Sequence, residues 1–276
     1  MTDKIINTLK RKIKRIKASS SPKIIFVGGI PGSGKSLLID KVQFDFSMDE
    51  FVIIDPDLYR RFFKHAKTVE ETVDGSNKVE LELLLYSLSL KKNIIHISSL
   101  RSFEIINRLI EEKVLPTGYE VYLYVIVTNN IESMISIYER YIYDRDTNIK
   151  KCFPRLSTLE YLLSANNGFD LAIEFFEKHN YFKNVCFFRR GKDMTLPSMF
   201  YSGINEFKKI VDSEKNNQLL LLDYENIDLR IKKIESKMLT EGEKVNFKKI
   251  RDYIIYDFLD KNYKEMRRYN NETNCK

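Results

Sequence analysis

The stretch Lys23–Val42, KIIFVGGIPGSGKSLLIDKV, decides the fold. It opens on a short apolar run of β character, passes through a cluster of glycines and closes on apolar residues at helical spacing. The chain contains only ten glycines, and Gly28, Gly29, Gly32 and Gly34 fall within seven positions. Glycine weakens strand and helix interiors, so the clustering needs a cause of its own. Gly29 to Ser36 (GIPGSGKS) fits the pattern GxxxxGK[ST] without a mismatch. Phosphate oxygens need several backbone N–H donors converging on one spot, and glycine lets the chain fold closely enough to supply them. The helix that follows directs its positive N-terminal end at the same anion. Gly29, Gly32, Ser33, Gly34, Lys35 and Ser36 are therefore the candidate nucleotide-binding residues. Lys35 would bridge the β- and γ-phosphates, and the Ser36 hydroxyl would coordinate Mg²⁺.

Outward from this loop the chain alternates strand and helix patterns. Short Ile/Val/Phe-rich runs stand at Phe51–Asp55, Asn93–Ile97, Tyr119–Val127 and Asn184–Phe188, each followed by an amphipathic helical pattern. Such alternation predicts an α/β fold with a mainly parallel sheet of five or six strands and helices on both faces. Beyond Gly203 the pattern is helical only, which predicts a C-terminal helical appendage, either packed on the core or semi-independent. The expected organisation is a basic helix over 1–20, a core over 23–203 with a polar, lid-like segment near 144–157, and a helical region over 204–276. In the first of these, Ile5, Ile6, Leu9, Ile13 and Ile16 recur at helical spacing between lysines and arginines. The stripe reads as a docked face with a solvated basic side; membrane or nucleic-acid binding is the alternative.

Composition narrows the classes. With 43% hydrophobic and 31% charged residues over 276 positions, the chain has a globular make-up, and no apolar run approaches a membrane span of roughly 20 residues. The N-terminus lacks the apolar core of a secretory signal. Cys152, Cys186 and Cys275 form no CxxC pair, and the three histidines have no metal-ligand spacing. A reducing, cytoplasmic setting is expected. The net charge of +7 favours an anionic partner without choosing one.

A phosphate loop serves switches, motors and kinases alike, so a second motif is needed. FVIIDPDLYR places Asp55 and Asp57 just past a strand, where ligands bind in open α/β sheets. One of the two carboxylates can hold a metal ion, and the other can take the proton of an attacking hydroxyl. Helix capping is the competing explanation, and it accounts for one aspartate more readily than for two. Arg140, Arg145 and Arg155, in or beside the lid-like segment, are candidates for cations that close on a transferred phosphoryl group.

With these residues in place the chain resembles the zeta toxins, P-loop kinases of bacterial toxin–antitoxin systems. GGIPGSGKS resembles their phosphate loop and FVIIDPDLYR their second-strand segment. NIIHISSLRS, GYEVYLYVIVTN and YERY are similar to the elements that follow. The resemblance implies a P-loop kinase fold and transfer of the γ-phosphate of ATP or GTP to the 3′-hydroxyl of UDP-N-acetylglucosamine. It also implies Lys35 and Ser36 on nucleotide and metal, Asp57 as catalytic base with Asp55 left as the second metal ligand, Arg101 near the substrate, Arg155 as a phosphate-binding lid arginine, and an antitoxin as protein partner. One departure stands out: the family carries a glutamate at the end of the third strand, and this chain has Ile97. Ser98 and Ser99, just past it, are the substitute acceptor-binding candidates, and a changed or less polar acceptor is expected. The competing functions are a polynucleotide or RNA-end kinase and a nucleotide-binding regulator with degraded catalysis. The first is disfavoured because the aromatic residues do not interleave with a basic patch.

Overall fold

The computed structural model describes residues 2–46, 50–63, 65–66, 68–147, 154, 156–191, 197–220 and 224–273. Its centre is a six-stranded sheet made of β1 (Lys23–Gly28), β2 (Phe51–Ile54), β3 (Asn93–Ile97), β4 (Glu120–Val127), β5 (Asn184–Arg189) and β6 (Ser198–Gly203). The spatial order is β2-β3-β1-β4-β5-β6, parallel throughout except for β6, which runs antiparallel to β5 at the edge. The expected mainly parallel sheet is present. β6 was not anticipated, because SMFYSG is short, carries no alternating apolar pattern and is exposed or half-exposed along its length, as an edge strand can be.

The inner strands are near-continuous apolar runs because both faces are covered. Ile24, Phe26 and Ile94 point into one cluster with α4 (Val69–Ser89), α5 (Phe103–Leu109) and α7 (Leu159–Lys178). Ile25, Val27, Ile95 and Ile97 point into the other, with Leu38 and Val42 of α2 (Leu37–Asp45). From β1 the chain crosses to the edge at β2, returns to β3 beside β1, then passes to β4 on the far side. This reversal opens a crevice at the carboxyl ends of the strands. The register pairs Val27 with Ile97 and Ile54 with His96, so continuing it sets Gly28 level with Ser98 and Asp55 level with Ile97, and the three strands end within a residue or two of one another at that edge.

The helix α1 (Thr2–Arg15) lies against α4. Ile6 and Ile13 are buried, and Ile5, Leu9 and Ile16 pack against the same cluster, so the isoleucine stripe belongs to the core. Burying an isoleucine fully contributes about 1.5–3 kcal/mol, enough to hold a short basic helix whose exposed side is Lys4, Arg11, Lys12, Lys14 and Arg15.

α6 (Asn130–Thr147) is longer than its apolar pattern suggested and takes in the first residues of the lid-like segment. Residues 148–153 and 155, the rest of that segment's centre, lie outside the described residues, and the lid expectation falls there. The C-terminal region forms α8 (Phe207–Leu220), α9 (Tyr224–Glu235) and α10 (Glu241–Thr273), joined to α6 and α7 by a cluster of their own. Ile227, Ile231, Ile234, Phe247 and Ile250 bury against Ile131, Met134, Ile135, Tyr138 and Leu162. Of the two sequence alternatives, packing on the core is the observed one. α3 (Pro56–Arg60), a single short helix after β2, completes the set.

Candidate active site

The phosphate loop runs from the end of β1 to the start of α2, and two of its glycines have no substitute. Gly29 has φ +148°, and a Cβ there would stand 2.6 Å from Ser33 Oγ and 2.9 Å from the Ile126 carbonyl. Gly32 has φ +79°, and its Cβ would meet the Ser133 carbonyl at 2.5 Å and Ile137 Cγ1 at 2.8 Å. Both positions are left-handed and crowded, so side chains are excluded twice over. The third, Gly34, has φ +92°. The amides of Gly34, Lys35 and Ser36 have no backbone acceptor among the described residues, and three adjacent free donors suit an anion. Ser33 Oγ is buried without a hydrogen-bond partner inside the loop, an orphaned oxygen that fits a site built for added polar groups.

Lys35 Nζ donates to the carbonyls of Gly29 at 2.9 Å and Ile30 at 3.0 Å. Burial lowers its pKa to about 8, with Arg140 adding to the fall while Asp57 and Asp55 oppose it. Arg140, Asp55 and Asp57 thus lie within electrostatic reach of Lys35. Ser36 is exposed, and its side chain makes no capping hydrogen bond, so the hydroxyl is available.

The two aspartates separate by environment. Asp55 is buried and caps α3, its Oδ1 accepting the Asp57 amide at 2.9 Å. Burial pushes its carboxyl pKa up to about 6, and the nearby Asp57 charge pushes in the same direction. Asp57, in the first turn, is exposed, with no hydrogen-bond duty for its carboxylate among the described residues. Capping thus explains Asp55 and leaves Asp57 unexplained. Two carboxylates this close, one held high, also suit a cation. Among the described residues no group of three or more His, Cys, Asp or Glu could hold a metal by itself. Mg²⁺ is ordinarily held by one or two carboxylates with phosphates and water, and the Asp55 carboxylate and the exposed Ser36 hydroxyl are groups of the kind it takes.

The end of β3, where the acceptor is expected, is less polar. Ile97 packs in the apolar cluster with Val27 and Leu38, on the α2 face of the sheet. His96 points to the opposite face, where Nε2 meets Glu80 Oε1 at 2.7 Å. Ser98 donates its amide to the Val27 carbonyl and accepts the Leu100 amide on Oγ at 3.1 Å. Ser99 is half-buried beside it. Arg101 extends from the same loop, its guanidinium 5.0 Å from the centre of the Tyr161 ring of α7. Gly168 of α7 permits this, since a Cβ there would stand 2.3 Å from the Arg101 carbonyl.

The arginines divide into three fates. Arg140 is exposed on α6, with no hydrogen bond or ion pair among the described residues, and its charge reaches Lys35. Arg145 is committed elsewhere, donating to Glu243 Oε1 at 3.0 Å and to the Lys237 carbonyl at 2.9 Å, so it ties α6 to the C-terminal helices. Arg155 lies outside the described residues. A fourth arginine escaped the sequence reading: Arg190, just past β5, donates to the Gly32 carbonyl of the phosphate loop at 3.2 Å. Its position at the carboxyl end of a strand, in FFRRG, was the available signal.

A family model described as Zeta toxin matches residues 6–198, and no curated protein matches the chain. Among solved structures, the fold is similar to one from the PezAT chromosomal toxin–antitoxin system of the human pathogen Streptococcus pneumoniae. The TM-score is 0.62 at 19% identity, covering 94% of this chain and 96% of that one. It is also similar to the native AvrRxo1-ORF1:-ORF2 complex, with TM-score 0.56, 15% identity and coverage of 90% and 81%. The same complex with ATP gives TM-score 0.52, 14% identity and coverage of 89% and 82%. At these identities the likeness is one of fold.

Proposed function

Because the chain belongs to the zeta toxin family, we propose that it is a kinase that transfers the γ-phosphate of ATP or GTP to a hydroxyl of a small acceptor. The observation that carries this reading is Asp57: an exposed carboxylate with no hydrogen-bond duty among the described residues, within charge reach of Lys35 of the phosphate loop. A switch or motor needs the loop but has no use for a free base beside it. In the proposed step Asp57 takes the proton of the acceptor hydroxyl as its oxygen bonds to the γ-phosphorus. The bond from that phosphorus to the β–γ bridging oxygen breaks, and the nucleoside diphosphate departs.

Lys35 would leave the Gly29 and Ile30 carbonyls to engage the β- and γ-phosphates, regaining full charge as it does so. Arg140, free on α6, would neutralise charge building on the transferred group, with Arg155 a second cation for the same purpose. Ser36 and Asp55 would hold Mg²⁺, which supplies charge neutralisation of the phosphates when bound. Ser98, Ser99 and Arg101 would line the acceptor.

The family resemblance names UDP-N-acetylglucosamine as acceptor, and a related sugar nucleotide is the nearest alternative. Ile97, buried among aliphatic side chains, offers no hydrogen bond where the family has a carboxylate. Charge-assisted hydrogen bonds contribute roughly 1.5–3 kcal/mol, so the acceptor is expected to differ or to bind weakly. An antitoxin partner is proposed from the family and from the PezAT neighbour, which comes from a toxin–antitoxin system. The test is transfer of labelled γ-phosphate from ATP and GTP to UDP-N-acetylglucosamine, other sugar nucleotides and RNA ends, with Asp57→Asn as control. Label on no acceptor in wild type, or equal transfer by Asp57→Asn, would overturn the kinase reading; label on RNA ends alone would establish the polynucleotide kinase instead.

A further inference from the structure

The phosphate loop does not stand alone on β1 and α2. Its outer side rests on α6: Ser133 Oγ donates to the Pro31 carbonyl, and the missing side chain of Gly32 makes room for the Ser133 carbonyl and Ile137. Arg190 closes this junction. Its Nη1 donates to the Gly32 carbonyl at 3.2 Å and to Ser136 Oγ at 2.6 Å, and lies 3.5 Å from Glu132 Oε1. The aliphatic stem of Arg190 passes over Gly34, with Cγ and Cδ within 4.0 Å of where a Cβ on that glycine would stand. One side chain just past β5 therefore touches two residues of the loop and two of α6.

Glu132 is shared. Its carboxylate also receives Arg230 of α9, with Nη1 to Oε2 at 2.7 Å and Nη2 to Oε1 at 3.1 Å. The same guanidinium pairs with Glu139 through Nε and Nη2, both at 2.8 Å. Arg230 thus grips α6 at two points two turns apart, the second directly before Arg140. Bidentate arginine–carboxylate pairs carry geometric precision as well as energy. A phosphate loop functions only while its carbonyls turn away from the anion and its N–H groups turn toward it. Arg190 holds one such carbonyl outward.

We propose that Arg190, Glu132 and Arg230 form a strut through which the C-terminal helices fix the phosphate loop against α6, making Arg190 a positioning residue for the nucleotide. The inference rests on the phosphate-loop reading above, and it goes beyond it in giving the C-terminal region a share in nucleotide affinity. The strut sets ground-state binding of the nucleotide and leaves the proton transfer at Asp57 alone. Its variants should raise Kd and KM for nucleotide far more than they lower kcat.

The test is ATP binding by calorimetry, with melting temperature measured alongside, on the full chain. Arg190→Met keeps the stem over Gly34 and removes the guanidinium; about a tenfold weaker Kd is expected, with the melting temperature within about 2 °C of wild type. Arg190→Lys should not restore affinity, because one ammonium cannot reach Gly32, Ser136 and Glu132 together. Arg230→Met should weaken Kd by about threefold, and the double variant by less than the product of the two, since both act through Glu132. Wild-type Kd in Arg190→Met would overturn the proposal, as would multiplicative effects in the double variant. Lys35→Ala separates the two levels. If wild type binds ATP and Lys35→Ala does not, an unchanged Arg190→Met removes the strut alone. If wild type and Lys35→Ala bind ATP equally, or neither binds, the phosphate-loop reading falls and the strut with it.

Discussion

Raising the pH tests Lys35 without altering a residue. Burial holds its pKa at about 8 in the free protein, whereas an ordinary lysine stays charged to 10.5. A bound polyphosphate would keep the ammonium charged, so above pH 8 each binding event must take up a proton. Affinity for ATP should then fall by a factor approaching ten per pH unit, about 30-fold between pH 7 and 9.5, or close to 2 kcal/mol. The terminal phosphate is fully ionised above about pH 7 and does not share in this change. The assay is calorimetric Kd from pH 7 to 9.5, repeated in two buffers of different ionisation heat to count the proton. Lys35→Arg, which stays charged throughout, should give a flat profile. Stability carries the same signature with the opposite slope. The folded chain releases the Lys35 proton near pH 8 and the unfolded chain near 10.5, so wild-type stability rises with pH across that window. Below pH 8 the buried charge is a full penalty, and Lys35→Met should exceed wild type there by up to about 3 kcal/mol, the gap closing by pH 10.5. A pH-independent wild-type Kd would refute the reasoning: Lys35 would then be ordinarily solvated, or uninvolved with phosphate.

Three further outcomes follow from the site and the core. Asp57→Asn should lower kcat by about 10²-fold or more with little change in melting temperature, because the residue has no capping duty; steady-state kinetics beside a thermal melt distinguishes base from scaffold. Asp55→Asn should be less active yet more stable. The raised carboxyl pKa, about 6 against 3.8, means that wild-type stability is present below pH 3.8 and lost as pH rises through 6, so the variant's advantage should grow over that window to at most about 3 kcal/mol in urea titrations. Ile13→Ala should cost about 2–5 kcal/mol, as for other large-to-small core changes, and an effect under 0.5 kcal/mol would show that α1 is not held by its isoleucine stripe.

The strand–loop–helix at Lys23–Val42 and the strand ending in Asp55 were legible because their signals are local. Phosphate binding needs glycine at fixed offsets, and buried parallel strands need unbroken apolar runs. The alternation that followed was enough for the sheet, the coverage of both faces and the helical C-terminus. What no local pattern carries is which side chain meets which across the chain. The two aspartates read as interchangeable in DPD; only folding buries Asp55 under α3 and leaves Asp57 exposed, and that difference separates a cap from a base. Arg145, on the same helix, looked as eligible as Arg140 until the structure paired it with Glu243, about 100 residues on. The edge strand β6 escaped notice because half its face meets water and its pairing partner defines it more than its own composition does. Arg190 meets Gly32 across 158 positions of sequence. Hydrogen bonds and ion pairs reach about 3 Å in space with no regard to distance along the chain, so periodicity can find the elements, and only their packing decides which charges are spoken for and which are left to act.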